Sequence, residues 1–351
     1  MNKIRIEINI DSNFFTTIEK HEIIYYHRGK TAYKDEVSYN ENLVSIFGTR
    51  SKINKLDILE NPNSTFYTTV IKSLLYIYYN NYSFNVSSID IYIDNKLFKS
   101  YSDDKIKQNF CISSCDTQKI SCTNLFCDKE ISDTTMKALM NLTLSNSYKE
   151  ISFEYKWKCF NTLIRYLFTK NNTTSTKITD FSMLVHLKKK IESKDKYFKS
   201  TIYFLSNKDD KYFENLSLNS MICNLFPENA KNNKKNMREF FLGFSDCDLS
   251  KVLLNKMQCK SKELKKLDIY DEIEKHYLNN INSKINVPID KVRLMILKHA
   301  YYLRCKYFHG EKIPSSFLIA NSRQEELDKI CEPLHLICKD LIENMMELVK
   351  T

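Results

Sequence analysis

The sequence predicts an α+β protein, with a mixed α/β N-terminal domain over residues 1–145 and an all-α helical bundle over residues 146–351. Three observations carry this. The first residues alternate apolar and polar side chains at a period of two, as a half-buried strand does. From about Ser132 onward, apolar residues recur at three- and four-residue steps, as on an amphipathic helix. The charge divides as well. The 351 residues carry 53 Lys+Arg and 43 Asp+Glu; residues 1–145 hold 17 of each, and residues 146–351 hold the remaining 36 and 26. The whole net charge of +10 therefore falls in the second half. Such a half suits a polyanionic partner, nucleic acid first. A lysine-rich solvated surface accounts for the charge equally well.

In chain order, Ile4, Ile6, Ile8 and Ile10 alternate with Arg5, Glu7 and Asn9, which reads as a strand and not as a secretory signal. Phe14 to His27 fits a helix or a strand. Thr65 to Tyr82 is expected to be helical, with Phe66, Val70, Leu74, Ile77 and Tyr78 on one stripe. Ile89 to Ile93 alternates as a strand, Asp94-Asn95 makes a turn, and Leu97 to Tyr101 returns. Cys111, Cys115, Cys122 and Cys127 place four thiols within 17 residues. Four thiols can hold zinc, but structural zinc sites bring ligands in close pairs and no Cys-x2-Cys occurs here. Reduced cysteines in a Ser-rich loop, with no metal, are the expectation.

The second half reads as helices throughout. Met136 to Leu144 is a short one. Tyr148 to Phe168 is a stronger one, built on Phe153, Trp157, Phe160, Ile164 and Leu167 or Phe168. Thr179 or Asp180 caps a helix through Met183, Leu184 and Leu187 into Lys188–Lys190. Pro288 suits the first turn of a helix reaching Phe308, with Val292, Met295 or Ile296, Ala300 and Leu303 as its stripe. Ser322 to Lys350 forms the last helix on Leu327, Ile330, Leu334, Ile337, Leu341, Met345 and Leu348. Pro333 should start, break or kink it.

Composition excludes several functions. The only four glycines, Gly29, Gly48, Gly243 and Gly310, are too scattered for a dinucleotide-binding fingerprint or a P-loop. No run of about 18 apolar residues predicts a membrane span. Eleven cysteines without a secretory segment point to a reducing cytoplasm, where most serve as small buried hydrophobes.

One string carries chemistry: Tyr302-Leu303-Arg304-Cys305-Lys306-Tyr307-Phe308-His309-Gly310. Gly310 can take the left-handed conformation that ends helices. His309 then sits in the last turn, where the helix dipole favours its protonated form and an imidazole suits proton transfer at neutral pH. Arg304 lies about a turn and a half back. Its guanidinium can neutralise a phosphate without losing its charge.

Arg304-x4-His309 followed by Gly310 resembles the catalytic signature of the HEPN superfamily. The longer string from Ala300 to Gly310 is similar to HEPN proteins of bacterial phage-defence systems. Phe153-x3-Trp157-x2-Phe160-Asn161-x-Leu163 resembles the first bundle helix of that group. The resemblance covers about residues 146–351. It implies a metal-independent endoribonuclease, without cofactor, in which the RNA 2′-hydroxyl attacks the adjacent phosphorus. Arg304 and His309 would be catalytic, and Asn161, Cys305 and Lys306 would support them. Cys305 departs from the polar residue common after the arginine, and reads as a subfamily trait. The resemblance further implies a homodimer through the HEPN domain, a toxin or abortive-infection role, and a phage or host trigger acting on residues 1–145. The alternative is a non-catalytic HEPN module that binds RNA or nucleotide. His299 and His335 lie on or beside apolar stripes and are expected to be packed core histidines.

Overall fold

The alternating isoleucines of the first residues form strand β1 (Asn2–Ile10), with Ile4, Ile6, Ile8 and Ile10 buried. In this computed structural model, residues 2–11, 15–51, 58–81, 84–106, 119–148, 151–171, 178–227, 232–308 and 321–350 are described. β1 is the fourth strand of a six-stranded antiparallel sheet with β2 (Phe15–Arg28), β3 (Thr31–Glu41), β4 (Leu43–Arg50), β5 (Val86–Ile93) and β6 (Lys96–Ser102), ordered β2-β3-β4-β1-β5-β6. The segment that suited either helix or strand is thus β2. Register puts Ile6 between Ile46 and Ile91, and Ile8 between Val44 and Ile89, so one face becomes a continuous apolar surface. Asp94 and Asn95 turn β5 into β6, both at positive φ, as a two-residue hairpin requires.

Helix α1 (Thr65–Asn81) covers this sheet, packing on β2 and β4 with Phe66, Val70, Leu74, Ile77 and Tyr78 buried, the stripe its spacing predicts. Its own back face meets helix α2 (Lys129–Ser147). The Tyr79 hydroxyl donates to the Leu139 carbonyl at 3.2 Å, and buried Lys72 pairs with Asp133 at 2.7 Å. α2 packs in turn on α3 (Ser152–Asn171), which buries Phe153, Trp157 and Phe160.

The chain divides into two compact units, one of Met1–Thr173 with Leu341–Thr351 and one of Thr174–Asp340. This division differs from the boundary at 145/146 that the charge split suggested. The reason is physical: α2 and α3 complete the layer over α1, so the aromatic helix expected to open the C-terminal bundle belongs to the unit with the sheet.

The second unit is helical. Its helices are α4 (Asp180–Ser193), α5 (Lys199–Ser206), α6 (Asp210–Glu214), α7 (Leu218–Leu225), α8 (Asn233–Phe241), α9 (Cys247–Lys256), α10 (Ser261–Lys266), α11 (Tyr270–Asn282), α12 (Pro288–Val292) and α13 (Tyr301–Phe308). α14 (Asn321–Val349) contributes its residues up to Asp340, and its last turns belong to the first unit. Thr179 caps α4 through a reciprocal bond with Ser182. Elsewhere α14 supplies the caps that local sequence lacks. Buried Asp340 accepts from the Ser200 and Thr201 amides and the Thr201 hydroxyl, closing the start of α5. Pro333 neither starts nor breaks α14, which runs through it.

Candidate functional site

The helix expected from Pro288 to Phe308 is present, but its middle differs. Between α12 and α13, Arg293–Ala300 is π-helical. Bonding from i to i+5 is rare at this length and frequent at functional sites. It widens the turn and changes the angle at which α13 presents its side chains. Leu294, Met295, Ile296 and Leu297 are four consecutive buried residues, an all-round apolar surface that no single α-helical stripe would bury.

α13 carries Arg304, Cys305 and Lys306, all half-buried. The Arg304 guanidinium reaches back to α4, where Nη2 lies 3.1 Å from Asp180 Oδ2. Asp180 is the first residue of α4, just after the Thr179 cap. Nη1 of Arg304 also approaches the Cys305 sulfur at 4.0 Å. One turn earlier, burial and the neighbouring Cys305 thiol push the Tyr301 hydroxyl up, against the pull of Arg304. Arg304, Asp180, Tyr301 and Cys305 therefore form one cluster. His309 and Gly310 lie outside the described residues. Asn161 is on α3 in the first unit, and its Oδ1 finds no hydrogen-bond partner among the described residues.

The same helix pair carries more positive charge away from Arg304. Lys298 is pushed down by burial first and then by Lys188 of α4 and Arg293. Arg293 is fixed by Asp290 at 2.8 Å and by the Gly243 carbonyl at 3.0 Å. No ion pair to Lys298 is found among the described residues.

His299 and His335 are buried, as their apolar neighbours imply. His299 Nε2 lies 2.9 Å from Glu326 Oε1, and the same oxygen accepts from the Ser217 amide at 2.7 Å and hydroxyl at 2.6 Å. Burial opposes ionisation of Glu326, but these bonds prevail and hold its carboxyl down at about 2. Sequence reasoning missed Glu326 and Asp180 as partners. Their only sequence signal is an acidic residue in a helix, which is common.

Of the four clustered cysteines, Cys111 and Cys115 lie outside the described residues. Cys122 is buried and its thiol is pushed up by burial, while Cys127 contacts the Met346 sulfur at 3.3 Å. Among the described residues, no group of three or more His, Cys, Asp or Glu side chains is arranged to hold a metal ion, and no helix is long and apolar enough to cross a membrane.

No protein-family model matches the chain, and no match is found among the curated proteins or among the solved structures compared with it.

Proposed function

We propose that the protein is a metal-independent endoribonuclease of the HEPN type, acting through Arg304 and His309. The observation that carries this reading is the string from Arg304 to Gly310 in the basic half of the sequence, of which Arg304 to Phe308 closes α13. The half-buried Arg304 beside Asp180, with Lys298, Lys188 and Arg293 on the same helix pair, is compatible with a strand whose phosphates need several cations. In the proposed reaction the 2′-oxygen forms a bond to phosphorus and the bond to the 5′-oxygen breaks. The products are a cyclic phosphate and a free 5′-hydroxyl. His309 moves a proton at one of those oxygens, and Arg304 stabilises the charge on the phosphorane. One imidazole serves poorly as acid and base in the same step, so a two-fold dimer supplies the second. The working setting is a toxin or abortive-infection response in the cytoplasm, with residues 1–145 receiving a phage or host trigger.

His309→Ala and Arg304→Ala should each abolish RNA cleavage, and EDTA should leave it intact. Undiminished cleavage by both variants would remove the assignment. One observation favours a second reading. Asp180 already meets the charge of Arg304, as in a module that binds RNA without cutting it. RNA binding without cyclic-phosphate products under any condition would select that reading.

A further inference from the structure

Two contacts fix how α4 lies against the π-helical segment and α13. Asp180, at the start of α4, holds Arg304 at 3.1 Å. Glu192, near the end of α4, has its Oε1 3.9 Å from Arg293 Nε and 3.7 Å from Lys188 Nζ. The two rods therefore run antiparallel, and the seam between them spans about 18 Å from Asp180 to Glu192. A cation stands at each end, and each is placed by a carboxylate.

Lys298 lies between these ends in the chain, and the π-helix decides where it points. Residues five apart on an α-helix diverge by about 140°. Bonding from i to i+5 winds the chain more slowly and brings Arg293 and Lys298 onto one face. The aromatic rings beneath them show this. Arg293 lies 5.3 Å from the Phe244 ring, Lys298 lies 6.0 Å from the Phe240 ring, and those rings are 5.5 Å apart. Lys298 is half-buried, yet it meets no carboxylate among the described residues. A partly desolvated cation without a counter-charge costs stability. A ligand phosphate would supply the missing charge.

We infer that a single-stranded RNA lays its backbone along this seam, with Lys298 as the central phosphate ligand between Arg304 and the Lys188–Arg293 pair. The inference rests on the reading of RNA as the substrate and gives that substrate its path. Spaced cations suit a chain of phosphates. Phe181 supplies what an acidic protein would not use: it follows Asp180 at the Arg304 end, and its side chain is 68% exposed, open for a base to stack on.

The test uses the full-length protein and a 2′-O-methylated oligouridine, which the proposed reaction cannot cut, with binding read by fluorescence anisotropy at several salt concentrations. Lys298→Gln should bind more weakly and lower the slope of log K against log salt by about 0.7. Its stability in urea should hold or rise, because an uncompensated charge is gone; a merely structural lysine would lose both. Phe181→Ala should weaken binding by roughly fivefold or more and leave the slope alone, since no charge is removed. Lys275→Gln, on the exposed side of α11, should change neither quantity. Wild-type binding with the same affinity and slope in Lys298→Gln would overturn the path and leave the RNA reading standing. An equal loss in Lys275→Gln would overturn it too, because net charge and not position would then set affinity. Poly-glutamate bound as tightly as the oligonucleotide would replace RNA with an acidic protein partner. No binding by the wild type would remove the path and the RNA reading together.

Discussion

The Tyr212 hydroxyl donates to the main-chain carbonyl of Lys329 at 2.7 Å, four residues before Pro333 in the same helix. In an α-helix that carbonyl would accept from the amide of residue 333, which proline lacks. The tyrosine from α6 supplies the missing donor. Burial and the nearby Glu332 push its hydroxyl up, so the proton stays in place. Tyr212→Phe should lower stability by about 1 kcal/mol, read by urea unfolding. In a Pro333→Ala background the amide returns, and the same change should cost less than half as much. Equal costs in the two backgrounds would show that the tyrosine does not compensate for the proline.

A second prediction concerns the sheet. Asp35 is fully buried on the core face of β3, and Arg50 grips it with Nη1–Oδ1 at 2.8 Å and Nη2–Oδ2 at 2.9 Å. The guanidinium is stacked between Tyr25 at 3.5 Å and Phe66 at 4.0 Å. Desolvation pushes the Asp35 carboxyl up, and Arg50 pulls against it. Arg50→Ala would strand a buried carboxyl, at a cost of about 3–5 kcal/mol. Lysine should not rescue it, because a point charge can neither grip two oxygens nor stack. Gly48→Ala should fail for a related reason. A Cβ there would stand 2.2 Å from Asp35 Oδ1, so the glycine is the space that the carboxylate occupies.

Acid should find a weak point at Glu326. Its carboxyl ionises at about 2 in the folded chain, against an ordinary value of 4.5. The folded state therefore binds fewer protons than the unfolded chain between those values. The stabilisation is complete above about pH 4.5 and is lost as the pH falls toward 2, about 3 kcal/mol in all. Glu326→Gln keeps an acceptor oxygen for Ser217 but removes the charge. Its stability, measured by denaturant titration at successive pH values, should fall less steeply across that window. An unchanged slope would mean that the His299–Glu326 pair does not set it.

These residues also show what the sequence could and could not reveal. β1, α1, the β5–β6 hairpin and the α4 cap follow from local signals: an isoleucine alternation, a 3.6-residue stripe, an Asp-Asn pair and a Thr179-Asp180 pair that offers two candidate caps, of which Thr179 is the one used. Pro333 misled, because its compensation comes from a tyrosine more than a hundred residues away. The π-helical segment was hidden within Leu294–Leu297, where every side chain is apolar and no period stands out. α3 read correctly as a helix, but its unit could not be read, since an apolar stripe does not name the surface it will meet. For the candidate site, spacing placed Arg304 in the final helical turns. Asp180 was visible only as a helix-start residue, and its role as the partner of Arg304 needed the packing of α4 against this helix.

That pairing yields the last prediction. With Asp180 Oδ2 at 3.1 Å, Arg304 offers an approaching phosphate only part of its charge, and a phosphate must compete with the carboxylate. Asp180→Asn removes the competitor and keeps a residue of the same shape beside the guanidinium. RNA binding should tighten. Because one more phosphate contact would then release its counterion, log K against log salt should steepen by about 0.7. Arg304→Ala should move both quantities the other way. The cost to the fold is small, since an acidic residue in a first helical turn contributes about 0.3–1 kcal/mol. Binding isotherms at several salt concentrations separate these effects, because a change in folding would lower the active fraction and leave the slope alone. Identical affinities and slopes for wild type, Asp180→Asn and Arg304→Ala would mean that RNA does not meet this arginine at all.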